Sequence, residues 1–157
     1  MLQRIQTLFL AIAVISGALL FYFPIADYYH ELYGNYKLFV TGLQCMDPDP
    51  KISTSIWFTA PLYLITGATV LLGVISIFLY KNRITQLRLV AFNILLNIVL
   101  IVLLFIFYSG KIEELTQIIP TYRIGVFLPL VSLVFLVLAN RFIRKDEALV
   151  KSTDRLR

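Results

Sequence analysis

The chain has 157 residues, 59% of them hydrophobic and only 15% charged, with a mean hydropathy of +0.84. A soluble domain of this size carries about 25% charged residues. The apolar excess is gathered into four blocks, which makes the chain an integral helical membrane protein without room for a separate soluble domain. The formal net charge of +5 does not point to nucleic acid, because ten of the fourteen Lys and Arg residues sit at Arg4, between Lys81 and Arg88, and from Arg141 onward. Those segments are separated by even numbers of spans, so one membrane face collects them all. Cys45 is the only cysteine and His30 the only histidine. That excludes an intramolecular disulfide, thiol-pair redox chemistry and bis-histidine haem ligation within one copy, and no cofactor is expected.

The first expected span covers residues 7–26. Its apolar stretch is too long for a signal-peptide core, and no Ala-x-Ala pattern follows, so it is expected to be retained with its N-terminus in the cytoplasm. Ala13 and Gly17 lie four apart, a small-residue contact that lets a second helix approach. Phe21, Tyr22 and Phe23 suit the membrane interface, and Pro24 loosens the last turn.

Residues 27–55 form an outer loop with a net charge of −2, counting Asp27, Glu31, Asp47 and Asp49 against Lys37 and Lys51. Tyr33-Gly34-Asn35-Tyr36 reads as a turn, and the β-forming run Tyr36 to Thr41 beside it predicts a short hairpin on the outer surface. Asp47-Pro48-Asp49-Pro50 superficially resembles a calcium loop, but its two prolines break the ligand register that such a site needs, and no metal is expected.

The second span, residues 56–80, opens with Trp57 as an interfacial anchor and Pro61 in its first turns. Thr66, Thr69, Gly73 and Ser76 make a small, weakly polar stripe for helix packing. Lys81 to Arg88 is a basic inner connector. In the third span, residues 89–108, Asn93 and Asn97 share a face, and amides at that depth require a neighbouring helix. Residues 109–123 form a second outer loop of zero net charge, in which Lys111 to Ile119 can form an amphipathic turn or short helix on the surface before Pro120. The fourth span, residues 124–140, contains Pro129, which is expected to bend it.

The tail, residues 141–157, repeats Phe142, Leu149 and Leu156 every seven residues, and Glu147 precedes Lys151 by four. This pattern extends the fourth span as an amphipathic helix. Its candidate docking residues are Phe142, Arg144, Asp146, Glu147, Leu149, Arg155 and Leu156.

Three stretches carry a resemblance. Gln3-Arg4-Ile5-Gln6-Thr7, Lys81-Asn82-Arg83, and above all Asn140-Arg141-x-Ile143-Arg144-Lys145-Asp146-Glu147-x-Leu149-Val150-x-Ser152-x-Asp154-Arg155-Leu156-Arg157 are similar to a family of small four-span membrane proteins of the Bacteroidota, catalogued as domain-of-unknown-function family 4293. The resemblance spans the chain in length and span order and is specific in the tail. It implies an inner-membrane location and four helices, with no assigned activity.

The fold class expected is therefore all-α, with four transmembrane helices in an antiparallel bundle, an outer hairpin and a helical C-terminal extension. Packing contacts are assigned to Ala13, Gly17, Gly73, Asn93 and Asn97. The leading functional expectation is a non-catalytic inner-membrane protein of bacteria with both termini cytoplasmic. It would act as an accessory or scaffold subunit or a small oligomeric assembly, with the lipid bilayer, a membrane protein or a second copy as partner and no nucleic acid. A transporter or channel is the alternative, weakened by the absence of Asp, Glu, Lys, Arg or His from the spans. An enzyme ranks last: one His, one Cys and no expected buried acid assemble neither a nucleophilic triad nor a metal site.

Overall fold

The structure, a computed structural model, describes residues 2–29, 34–46, 56–116 and 119–154. Four helices dominate it. The first, α1, is Leu2–Leu19; α2 is Ile56–Phe78 and tightens into a 3-10 turn at Leu79–Lys81. Asn82 then caps α3 (Arg83–Val102), which runs through a π-helical turn at Leu103–Tyr108 into α4 (Ser109–Thr116). The last, α5, is Phe127–Asp154, entered through a 3-10 turn at Ile124–Val126. Three stretches are long and apolar enough to cross a membrane: Trp57–Lys81, Arg83–Glu114 and Ile124–Leu149. The apolar part of α1, Ile5–Leu19, is shorter.

Each helix packs on two others. The α1 helix lies against α2 and α5, and α3 lies against the same two. Their outward residues are apolar, among them Leu8, Ile15, Leu64, Leu71, Phe92 and Val134. Such an exterior suits lipid and would be a liability in water. Inside, one cluster gathers Leu10, Ala13, Val90, Leu136, Ala139 and Ile143. A second cluster, at the other end, joins helix residues such as Leu62, Leu104 and Tyr108 to a small sheet.

That sheet has four antiparallel strands, β1 (Ala26–Tyr28), β2 (Tyr36–Phe39), β3 (Gly42–Cys45) and β4 (Thr121–Tyr122), in the order β3-β2-β1-β4. The hairpin expected at Tyr36 to Thr41 is real, and it is only the middle of a larger cap. Gly34, at φ 91°, supplies the left-handed residue in the connection between β1 and β2. The 109–123 connection contributes β4, pairing Thr121 with Asp27 and Tyr122 with Ala26. Both connections, 27–55 and 109–123, therefore close one structure over the ends of the helices.

Several boundaries differ from the expectation, each for a local reason. Helix α1 stops at Leu19, and Ile25 and Ala26 belong to the cap, the Ile25 N–H donating to the Leu38 carbonyl at 2.8 Å. The stretch from Ser109 is a short helix to Thr116, as one of the two expected forms, but it runs on from the third helix and turns Ile112 into the core while Lys111, Glu113 and Glu114 stay exposed. Pro129 falls in the first turn of α5, where a missing N–H leaves no hydrogen bond unmade, so the bend expected there has no cause. The Asp47–Pro50 turn, and Arg155 and Leu156 of the tail, lie outside the described residues.

Candidate functional site

The middle of the helices is where the packing residues meet. A Cβ added to Gly17 would lie 3.0 Å from Val70 Cγ2, and one added to Gly73 would lie 2.5 Å from Val14 Cγ2. These two glycines let α1 and α2 touch closely. Asn93 and Asn97 are both buried. Asn93 Nδ2 donates to the Thr69 carbonyl of α2 at 3.0 Å. Asn97 Nδ2 donates to Ser132 Oγ of α5 at 3.1 Å, and Ser132 in turn donates to the Ala13 carbonyl of α1 at 3.2 Å. One face of α3 thereby ties all four helices together. The stripe on α2 is equally self-contained: Thr66 and Ser76 donate to the carbonyls of Leu62 and Leu72, and Thr69 to that of Thr66. The space left among Ala13, Gly17, Thr69, Gly73, Asn93 and Ser132 is too narrow for a water-sized sphere. The helices therefore meet there in a close seam, in which Asn93 Oδ1 and Asn97 Oδ1 are buried without a hydrogen-bond partner.

At the end carrying the connector and the tail, part of the tail's pattern is used within the molecule. Phe142 stacks at a tilt on Phe9, centroids 5.3 Å apart, and its carbonyl accepts from Gln6 Nε2 at 3.2 Å. Ile143 is fully buried. Asp146 Oδ2 lies 3.1 Å from Arg83 Nη1, whose directed hydrogen bond goes instead to the Asp146 carbonyl at 3.2 Å. The contact with the carboxylate is thus an ion pair without hydrogen-bond alignment. Arg144 and Leu149 are exposed, and Arg144 Nε donates to Asn140 Oδ1 at 3.0 Å. Of the docking candidates whose side chains are described, Phe142 and Asp146 face inward contacts, Glu147 is half-buried, and Arg144 and Leu149 are presented outward.

At the opposite end lies a polar cluster that residue spacing did not reveal. Asp27, only 1% exposed, accepts from Arg123 Nε at 2.6 Å and from the Tyr29 hydroxyl at 2.8 Å, both through Oδ2. Arg123 also donates to the Tyr29 hydroxyl at 3.2 Å. The Tyr29 hydroxyl, then Asp27, raises the Arg123 pKa and holds it charged. Asp27 Oδ1 and the buried Tyr28 hydroxyl have no hydrogen-bond partner. Burial, reinforced by nearby Tyr122 and Glu113, pushes the Tyr28 phenol upward and keeps it neutral. The expectation of no buried acid is therefore wrong for the cap, where β1 carries Asp27 between two strands. The readable signal was an acid just after one span and a base just before another, on the same face. Among the described residues, no three His, Cys, Asp or Glu side chains gather as a metal site.

A family described as a domain of unknown function, DUF4293, matches residues 2–156. The chain belongs to this family. No curated protein matches it. The DUF4293 match covers both the four-helix seam and the tail as far as Leu156.

Proposed function

We propose that this DUF4293 chain is a non-catalytic, four-span inner-membrane protein of bacteria that serves as an accessory or scaffold subunit. The first crossing would be α1, whose apolar part Ile5–Leu19 rises about 22 Å at 1.5 Å per residue, with the apolar run Leu20 to Phe23 extending it toward a hydrocarbon core of about 30 Å. The four helices would then alternate in direction as an antiparallel bundle, with the cap strands inserted between α1 and α2 and between α4 and α5. The basic connector and tail share one end, joined by Arg83 and Asp146, which supports placing that end and both termini in the cytoplasm.

The observation that carries the reading is the contrast between the seam and the tail. The described hydrogen bonds of Asn93, Asn97 and Ser132 tie helix to helix, whereas α5 continues to Asp154 and presents Arg144 and Leu149 outward. An amphipathic helix of this kind is a docking element for a membrane-protein partner or a second copy. The test is mild-detergent purification of a tagged chain beside an Arg144→Glu/Leu149→Asp variant. A stoichiometric partner, or a defined self-assembly, that the variant loses supports the reading. A monomer without a partner overturns it.

The alternative, a small transporter or channel, gains only from the amides at mid-membrane. Changing Asn93 and Asn97 to Leu addresses it directly. Interhelical bonds of this kind average about 0.6 kcal/mol and reach about 1.7, so thermal stability falls modestly under the packing reading. Full stability with lost biological activity favours a polar pathway.

A further inference from the structure

We propose that the Arg141 face of α5 is a binding site for an anionic phospholipid. Two grooves flank this residue. One, of about 290 Å³, is lined by Ile94 of α3 and by Val137, Asn140, Arg141 and Arg144. The other, of about 360 Å³, is lined by Leu138, Arg141, Phe142 and Lys145. The helical repeat explains the arrangement. Val137, Arg141 and Lys145 follow one another at intervals of four, so an apolar side chain leads up to a cation and then to a second cation.

Each groove has an apolar wall below and positive charge above. A soluble anion has no use for Ile94, Val137 or Leu138, whereas a phospholipid fills both halves, its acyl chain on the apolar wall and its phosphate on the cations. Depth agrees with this. Arg141 stands seventeen residues beyond Ile124, about 25 Å along a helix at 1.5 Å per residue, near the thickness of a hydrocarbon core. The charges are also available to a phosphate. None of the described ion pairs engages Arg141, Arg144 or Lys145, and the adjacent acid, Asp146, is paired with Arg83. Arg144 is steadied by the neutral amide of Asn140, which orients the guanidinium without cancelling its charge.

The site rests on the membrane reading and shares Arg144 with the docking face, so the variants that test it leave Arg144 and Leu149 in place. The probe is dioleoyl phosphatidylglycerol against dioleoyl phosphatidylcholine, titrated into the detergent-purified full chain and counted by native mass spectrometry. A cation beside an anionic lipid contributes about fivefold, so the intact chain is expected to retain the glycerol lipid at least tenfold better. An Arg141→Gln/Lys145→Gln variant loses that preference. A Lys81→Gln/Arg88→Gln variant, with the same charge removed at the same end, keeps it within about twofold. Val137→Trp, which fills one groove without changing charge, weakens retention while the helical circular dichroism stays unchanged. Equal loss in both charge variants, or loss in neither, overturns the site, as does full competition by glycerol 3-phosphate, which lacks the acyl chains.

Discussion

Gly73 and Gly125 both sit where another segment passes close, but what they touch differs. A Cβ on Gly73 meets a methyl of the Val14 side chain and no backbone, and since Val14 is stiff at χ1 in a helix, α1 and α2 have to ease apart slightly to admit it. A Cβ on Gly125 meets the Pro24 carbonyl oxygen, part of the backbone that accepts the Gly125 N–H and helps seal the cap. Gly125→Ala is therefore expected to cost about 3 kcal/mol and Gly73→Ala about 1 kcal/mol or less, the range found for overpacking, read as the order of melting temperatures in one detergent. Tyr28→Phe should act in the opposite sense. Its hydroxyl is buried without a partner, so removing it is expected to stabilise the fold by about 1 kcal/mol. The pH dependence has a definite sign as well. The folded pKa is raised above 10.0, so the neutral phenol favours the fold fully below pH 10, and that contribution fades as pH climbs beyond it. The Phe variant should show a shallower alkaline decline. At this scale the sequence was readable where an isolated polar group stood in an apolar run, as with Asn93 and Asn97. It was not readable for Asp27 and Arg123, which lie 96 positions apart and meet only because β1 and β4 pair.

Among elements, the π-helical turn Leu103–Tyr108 has the clearest consequence. Buried positions on this rod include Asn97, Leu100, Leu104, Tyr108 and Ile112, with Ser109 buried beside Tyr108, and the last three intervals of that series are all four residues. An undisturbed α-helix would rotate such a series off its face, whereas a wider turn keeps it aligned. Tyr108 can then donate to the Phe58 carbonyl at 2.7 Å and stack edge-on against the Phe58 ring. Nothing in local composition announces this turn, since all six of its residues are apolar or aromatic and fit an ordinary membrane helix equally well. The outer hairpin was legible for the opposite reason: Gly34 and the β-forming run Tyr36 to Phe39 carry local chemistry. The strand supplied by Thr121 and Tyr122 is only two residues long, too short to show a period. The tail's inward half gives a prediction of its own. Arg83 and Asp146 are 26% and 12% exposed in their side chains, so screening limits their attraction. A double-mutant cycle with Arg83→Gln and Asp146→Asn should return a coupling of about 1 kcal/mol, shrinking as salt is raised. Coupling indistinguishable from zero would detach the tail from the connector.

The molecule as a whole has two ends of unlike charge. One holds Lys81, Arg83, Arg88, Arg141, Arg144 and Lys145, with Asp146 bound into it; the other holds the cap, where Asp27 offsets Arg123 and Glu114 offsets Lys111. The separation was legible in the sequence because charge sorting is a property of segments and survives errors in their boundaries. Missing from that reading was the joining of two loops into one cap, which depends on contacts far apart along the chain. This joining sharpens the topology test. Cys45, the only thiol, lies half-buried in β3, and β3 belongs to the same sheet as β4. A label at Cys45 therefore reports the side occupied by both loops at once. With the basic end inside, a membrane-impermeant maleimide should label Cys45 in intact spheroplasts, and permeabilisation should add little. A second cysteine placed at Arg88, exposed in the connector, in a Cys45→Ser background should behave in reverse, reacting only after permeabilisation. Because the two positions lie at opposite ends, failure of Cys45 to react from burial cannot imitate inversion: burial leaves both silent in intact cells, whereas inversion lights Arg88→Cys alone. Labelling of the connector without labelling of the cap would place the basic end outside and withdraw the cytoplasmic tail from the proposed function.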